Sequence, residues 1–358
     1  MLDRGDDFSV GGVACAYLVD CEWQVINLPF YTFMSFFAPL IGQVQAVELL
    51  TQAIAQDRVA PAYLFAGSPG IGRSLAARCF LDLLFCQDAP VSKQQQIQTR
   101  LRQGNHPDVL WVEPTYLHQG KRLSVMEAAA AGIKRKAPPQ IRLEQVREIT
   151  TFLSRPPLEA TRSIVVIEQA ETMAEAAANG LLKTLEEPGP ATLILIAPSV
   201  ESLLPTLVSR CQRIPFYRLP PEAIAQVLQQ AGYGEVLDHP EILAIAQGSP
   251  GEAIASWQQL QVIPSELLRV VAHPPSSPRD ALDLARQITS TLDVEIQLWL
   301  VDYLQHCYWQ RQQPSGQAHE LLQPLEKARQ YLLGYAQPRL VWEVTLLAIM
   351  QSAAIEAR

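Results

Sequence analysis

A chain of 358 residues is long enough for two or three domains with real cores, and 48% hydrophobic with 18% charged residues excludes a disordered polymer. A net charge of −8 argues against a free-standing nucleic-acid binder, which would carry a basic surplus. Cys15, Cys21, Cys79, Cys86, Cys211 and Cys307 lack framework spacing, no apolar run reaches membrane-spanning length, and Asp3, Asp6 and Asp7 stand where a secretory signal would be basic, so the expected compartment is the cytoplasm.

Residues 1–33 mix Gly, Asp and aromatics without a sustained period. They read as an extension of little order, either an over-extended start with the true one at Met34 or a native tail. The segment SFFAPLIGQ follows, then VQAVELLTQAIAQDRV, in which Val44, Val47, Leu50 and Ile54 share one helical face. Tyr63 to Ser74, YLFAGSPGIGRS, reads as strand, glycine loop and the start of a helix that ends near Cys86. Gly67, Gly72 and Ser74, with Gly70 between, keep the spacing of a phosphate loop at every fixed position but one, where Arg73 replaces lysine. Such a loop cradles phosphate on its N–H groups and the helix N-terminus; the plain alternative is a glycine turn.

Residues 87–103 are polar and Gln-rich, and NHPDVLWVEP turns into a short buried strand, Val109 to Val112. Residues 116–140, with an Ala run and the basic cluster Lys134, Arg135, Lys136, read as an exposed loop or a partly helical insert. Helical spacing resumes from Ile141 to Leu153 and stops at Pro156-Pro157. A strand at Ile164–Ile167, a helix from about Thr172 to Leu185 and a strand at Leu193–Ala197 complete an alternation that predicts an α/β fold, a parallel sheet with helices on both faces. From Pro220 the pattern is all helical: 221–230, 239–246, a Gly248–Gly251 turn, a helix to about Leu260, a Pro/Ser linker at 273–278, and a bundle beyond Arg279.

Two further signals bear on chemistry. The strand Ile164–Ile167 delivers Glu168 and Gln169, where a phosphate-loop ATPase carries an Asp for Mg²⁺ and a Glu for the attacking water. Gln has no basic site at neutral pH, and Glu168 is one methylene too long. Further on, NGLLKTLEEP (Asn179 to Pro188) precedes Ser209-Arg210-Cys211.

With FAPLIGQ and NHPDVLWVEP, these stretches make the chain resemble the bacterial clamp-loader AAA+ family from about Met34 to Leu260. The resemblance implies an AAA+ phosphate-loop domain over 34–219, a helical lid over 220–262 and an all-α collar for assembly over 263–358. It places Gly67, Gly70, Gly72, Arg73 and Ser74 at the nucleotide loop, Glu168 and Gln169 at the metal and base positions, and Ser199 near a γ-phosphate sensor. It makes Arg210, flanked by Ser209 and Cys211, an arginine that acts in trans on a neighbour's ATP. Arg73, Gln169 and Glu252 in the lid depart from the family's motor subunits, so no significant hydrolysis is expected, and bound ATP or ADP would be inert. Relatives carry a four-cysteine zinc module; here no cysteine lies between Cys86 and Cys211, so no zinc or other metal site is expected. The implied partners are the motor (tau/gamma) subunits, the clamp-opening delta subunit and, through them, the sliding clamp and primer–template DNA. An active motor of the same fold and a decayed AAA+ interaction protein remain alternatives.

Overall fold

The computed structural model describes residues 33–87, 89–131, 138–312 and 318–356. The expected N-terminal extension up to residue 32, Cys15 and Cys21 within it, and the cluster Lys134, Arg135, Lys136 lie outside these described residues.

Five strands form one parallel sheet: β1 (Ala62–Ala66), β2 (Val109–Val112), β5 (Ser163–Ile167), β6 (Ala191–Ala197) and β7 (Gln212–Pro215), in the spatial order β2-β5-β6-β1-β7. The apolar runs of β5 and β6 are buried throughout because side chains alternate between two covered faces. Ile164, Val166, Ile194 and Ile196 pack with Leu50 of α1 (Val44–Ala55) and Phe80 of α2 (Arg73–Cys86). Val165, Ile167, Leu193 and Leu195 face the other way, onto Val146 and Ile149 of α5 (Leu143–Leu153) and Leu181 and Leu185 of α6 (Glu175–Glu186).

Several local expectations need correction. Val44, placed on one helical face with Val47, Leu50 and Ile54, is 62% exposed at the start of α1, whereas Thr51 is buried and bonds back to the Val47 carbonyl. The Gln-rich stretch contains a helix, α3 (Val91–Arg102), anchored by Gln94, whose amide donates to the Cys86 and Ala89 carbonyls. The 116–140 insert contains a hairpin, β3 (Tyr116–His118) and β4 (Lys121–Leu123), followed by α4 (Val125–Ala130). The helix expected from Thr172 divides into a 3₁₀ turn, Ala170–Thr172, and then α6.

The motif His106-Pro107-Asp108 is an internal clasp. Asp108, 2% exposed, accepts three main-chain hydrogen bonds, from Leu158 at 2.7 Å, Glu159 at 2.8 Å and Ala160 at 2.9 Å. Its own carbonyl accepts from Ile164 N at 2.8 Å, so one residue ties the entry of β2 to the loop before β5.

Beyond the sheet, α8 (Pro221–Gln230), α9 (Pro240–Ala246) and α10 (Pro250–Val262) enclose a small core of Leu228, Val236, Ile242 and Ala253. Helices α11 (Ser265–Val271), α12 (Pro278–Thr291), α13 (Val294–Gln312), α14 (Ala318–Leu333) and α15 (Pro338–Glu356) build another around Leu300, Leu304, Leu325 and Trp342. Leu260 packs against both cores. Among the described residues no helix is long and apolar enough to cross a membrane.

Candidate functional site

The glycine loop leaves the sheet at the carboxyl end of β1. Gly67 N donates to the Ala197 carbonyl at 3.3 Å and Phe216 N to the Ala66 carbonyl at 2.8 Å, so the loop rises between β6 and β7. A Cβ on Gly67 would lie 2.6 Å from the Phe216 carbonyl, which is why glycine stands there. Gly72, with φ of 103°, starts α2 in the left-handed region. Buried Gln43 fixes the loop from outside: its amide donates to the Ile71 carbonyl (3.2 Å) and the Tyr217 carbonyl (2.7 Å) and accepts from Tyr217 N (3.1 Å). Gln43 ends the stretch FAPLIGQ, whose local pattern gives no sign of this role.

Arg73, Ser74 and Glu168 come together beside the glycine loop, and Glu171 joins them. Desolvation lowers the Arg73 pKa, against the pull of the Glu171 and Glu168 carboxylates. Desolvation likewise raises Glu168, opposed by a hydrogen bond from Ser74 and by the Arg73 charge. Burial also raises Glu171, with a backbone hydrogen bond and Arg73 opposing. Arg73 Nη1 is buried without a hydrogen-bond partner. Gln169 is exposed with φ of 48°, and its carbonyl accepts from Thr172 N and Thr172 Oγ1. Ser199 is tied within its own loop, its hydroxyl to Glu201 and its carbonyl to Ser202 Oγ at 2.7 Å.

The start of α10 closes on this loop. Ser249 Oγ donates to the Pro69 carbonyl at 2.8 Å and Gly251 N to the Gly70 carbonyl at 2.9 Å. A Cβ on Gly251 would sit 2.6 Å from Gly70 Cα and 2.9 Å from its carbonyl oxygen, so the two backbones touch where neither residue can bear a side chain. Gly-to-Ala changes in helices ordinarily stabilise, by roughly 0.5–1 kcal/mol. Gly251→Ala is expected to do the opposite, costing about 1–3 kcal/mol through overpacking. A higher Tm for the variant would show that the contact is loose.

Arg210 lies elsewhere. It follows α7 (Pro205–Val208) and precedes Gln212, the first residue of β7, which is in register with Tyr63. Because the strands are parallel, Arg210 stands at their amino ends while the loop stands at their carboxyl ends, a strand of four residues or roughly 13 Å away. Its Nη1 donates to the Thr206 carbonyl at 2.9 Å and its Nη2 to Glu186 Oε1 at 2.6 Å. Ser209 Oγ donates to the same Thr206 carbonyl at 3.1 Å. Burial pushes the Cys211 thiol up to about 11, which suits packing and not nucleophilic chemistry. Cys79 and Cys86 are buried, both thiols also raised to about 11 by desolvation. Among the described residues no three His, Cys, Asp or Glu side chains cluster as metal ligands.

Comparison with known proteins adds two family matches. Residues 42–220 match the family described as DNA polymerase III, delta subunit, and residues 222–349 match the cyanobacterial DNA polymerase III delta prime, C-terminal domain. The chain is similar to the DNA polymerase III subunit delta' of Bacillus subtilis, 32% identical over 51% of this chain and 50% of that one. It is similar to the same-named subunit of Pseudomonas aeruginosa, 33% identical over 56% of this chain and 57% of that one. The subunit tau of Bacillus subtilis is 26% identical over 65% of this chain and 39% of its own length. The chain thus spans only about half the length of the delta' relatives it matches.

Proposed function

Because the chain belongs to the DNA polymerase III delta-subunit family, we propose that it serves as a delta-prime-type subunit of a clamp loader, holding the ring together and lending Arg210 to a neighbour's ATP. One observation carries this reading: Arg210 and the glycine loop sit at opposite ends of the same parallel strands. An arginine so placed serves a nucleotide held by another subunit, not its own. The partners of this reading are the tau/gamma motor subunits and the clamp-opening delta subunit, with the sliding clamp and primer–template DNA reached through the complex.

The chain's own cradle fits a phosphate group better than it fits hydrolysis. Arg73 Nη1, buried and unpartnered, and the N-terminus of α2 suit an anion. The hydroxyl that would meet a metal, that of Ser74, bonds instead to Glu168, and Gln169 has no basic site for water's proton. Bound ATP or ADP would therefore be held without turnover, by Gly67, Gly70, Gly72 and Arg73.

Two measurements test the reading together. The isolated chain is expected to show no ATP turnover above buffer, and, mixed with motor and clamp-opening subunits, to elute with them as one complex. Turnover that disappears with Arg73→Ala would make the chain a motor, and failure to co-elute would remove it from the loader.

A further inference from the structure

Glu186 closes α6 at its carboxyl end, followed by Glu187, Pro188 and Gly189. A carboxylate there faces the negative end of the helix dipole, where a cation is favoured. Helix stability therefore gives no reason for Glu186, and its ion pair with Arg210 is too exposed to matter much to the fold, with side-chain exposures of 52% and 35%. A residue that breaks a local rule without a stabilising return marks a functional constraint.

What the pair does achieve is geometric. An arginine side chain has four torsions to order, and an unrestrained one samples many rotamers. Here the guanidinium is held at two nitrogens from two different elements, the Thr206 carbonyl of α7 and the Glu186 carboxylate of α6. Thr206 alone would leave the plane free to pivot about Nη1; Glu186 removes that freedom. The two contacts use one N–H of each terminal nitrogen, and Nε–H with the two remaining terminal N–H groups stays available for an incoming oxyanion.

We propose that Glu186 is a positioning residue for the trans-acting arginine: it sets the guanidinium plane before the neighbouring subunit docks. The inference rests on the reading that Arg210 serves a neighbour's ATP. Glu186 touches no substrate and exchanges no proton. Arg210 itself only offers positive charge to the transferring phosphoryl oxygens as water's oxygen bonds to phosphorus and the bond to the leaving ADP oxygen breaks.

The test uses the reconstituted loader with the full-length chain as wild type, Glu186→Ala, Glu186→Gln, Arg210→Ala and the double variant Glu186→Ala/Arg210→Ala. Glu186→Ala is expected to lower kcat at the neighbouring ATP site by about 2- to 5-fold, as much as an exposed pair of this kind can supply, with the KM for ATP little changed. Glu186→Gln keeps an acceptor oxygen for Nη2 and restores most of the rate. The double variant matches Arg210→Ala alone, because Glu186 acts only through the arginine. If Arg210→Ala abolishes turnover while Glu186→Ala leaves or raises it, the positioning role is overturned and the trans-acting arginine stands. If Arg210→Ala has no effect, the reading beneath it fails first. An effect of Glu186→Ala that persists in the Arg210→Ala background also overturns the proposal, since it would act by another route.

Discussion

Arg210→Ala is expected to lower ATP turnover at the neighbouring site of a reconstituted clamp loader by about 10³–10⁵-fold. The magnitude follows from charge: negative charge spreads over the phosphoryl oxygens in the transition state, and a fixed guanidinium in a water-poor interface stabilises it without reorganising. The clean readout is that one site, obtained with motor subunits whose other phosphate loops are disabled, under DNA and clamp stimulation. Arg210→Lys supplies a point charge without the planar fork and should recover only part of the rate. The loss cannot be blamed on unfolding, because an exposed pair such as Arg210 and Glu186 contributes about 0–1 kcal/mol. Undiminished turnover would sink the trans-acting role.

The second large effect is on stability. Asp108→Ala removes one buried acceptor that three main-chain N–H groups share, those of Leu158, Glu159 and Ala160. Bonds to a charged group are the stronger kind, and donors left unsatisfied cost more than the bonds returned. The expected loss is about 3–5 kcal/mol. Against a total near 5–15 kcal/mol, that brings the domain close to its folding threshold. Urea titration followed by far-UV circular dichroism would show a lower midpoint at unchanged slope. Asp108→Asn keeps an acceptor oxygen and should fall between the two. A loss below about 1 kcal/mol would mean that water replaces the carboxylate and that the clasp is ornamental.

The elements most legible in the sequence are those buried on both faces. The runs Ile164–Ile167 and Leu193–Ala197 could only be interior strands, and they are. β7 escaped because it lies at the sheet edge: Gln212 and Arg213 are exposed, and Pro215, tolerated only at an edge, argues against a strand. The β3–β4 hairpin turns on Gln119 and Gly120, both at positive φ, a pair far less telling than Asn-Gly. α3 has no buried residue at all, so no periodicity announces it. At the site, the loop glycines, Arg73, Ser74 and Glu168 were readable because one local motif and one strand end supply them. Gln43, Glu171, Glu186 and the Gly70–Gly251 contact were not, because each matters only through residues distant in sequence. Ser199, which the resemblance places near a γ-phosphate sensor, bonds to Glu201, a contact that its position after a strand does not announce.

The sheet order also has a consequence for how the chain is made. β1, four of its five residues buried, lies between β6 and β7 and pairs with nothing else. On a ribosome, where the amino end emerges first, this apolar strand and the glycine loop behind it must wait unpaired until Ala191–Ala197 has been synthesised. Such long-range parallel pairing forms slowly and leaves sticky edges exposed meanwhile. The glycine loop is translated well before the strand that completes its surroundings, and nascent chains halted before β6 should therefore be the species that chaperones capture.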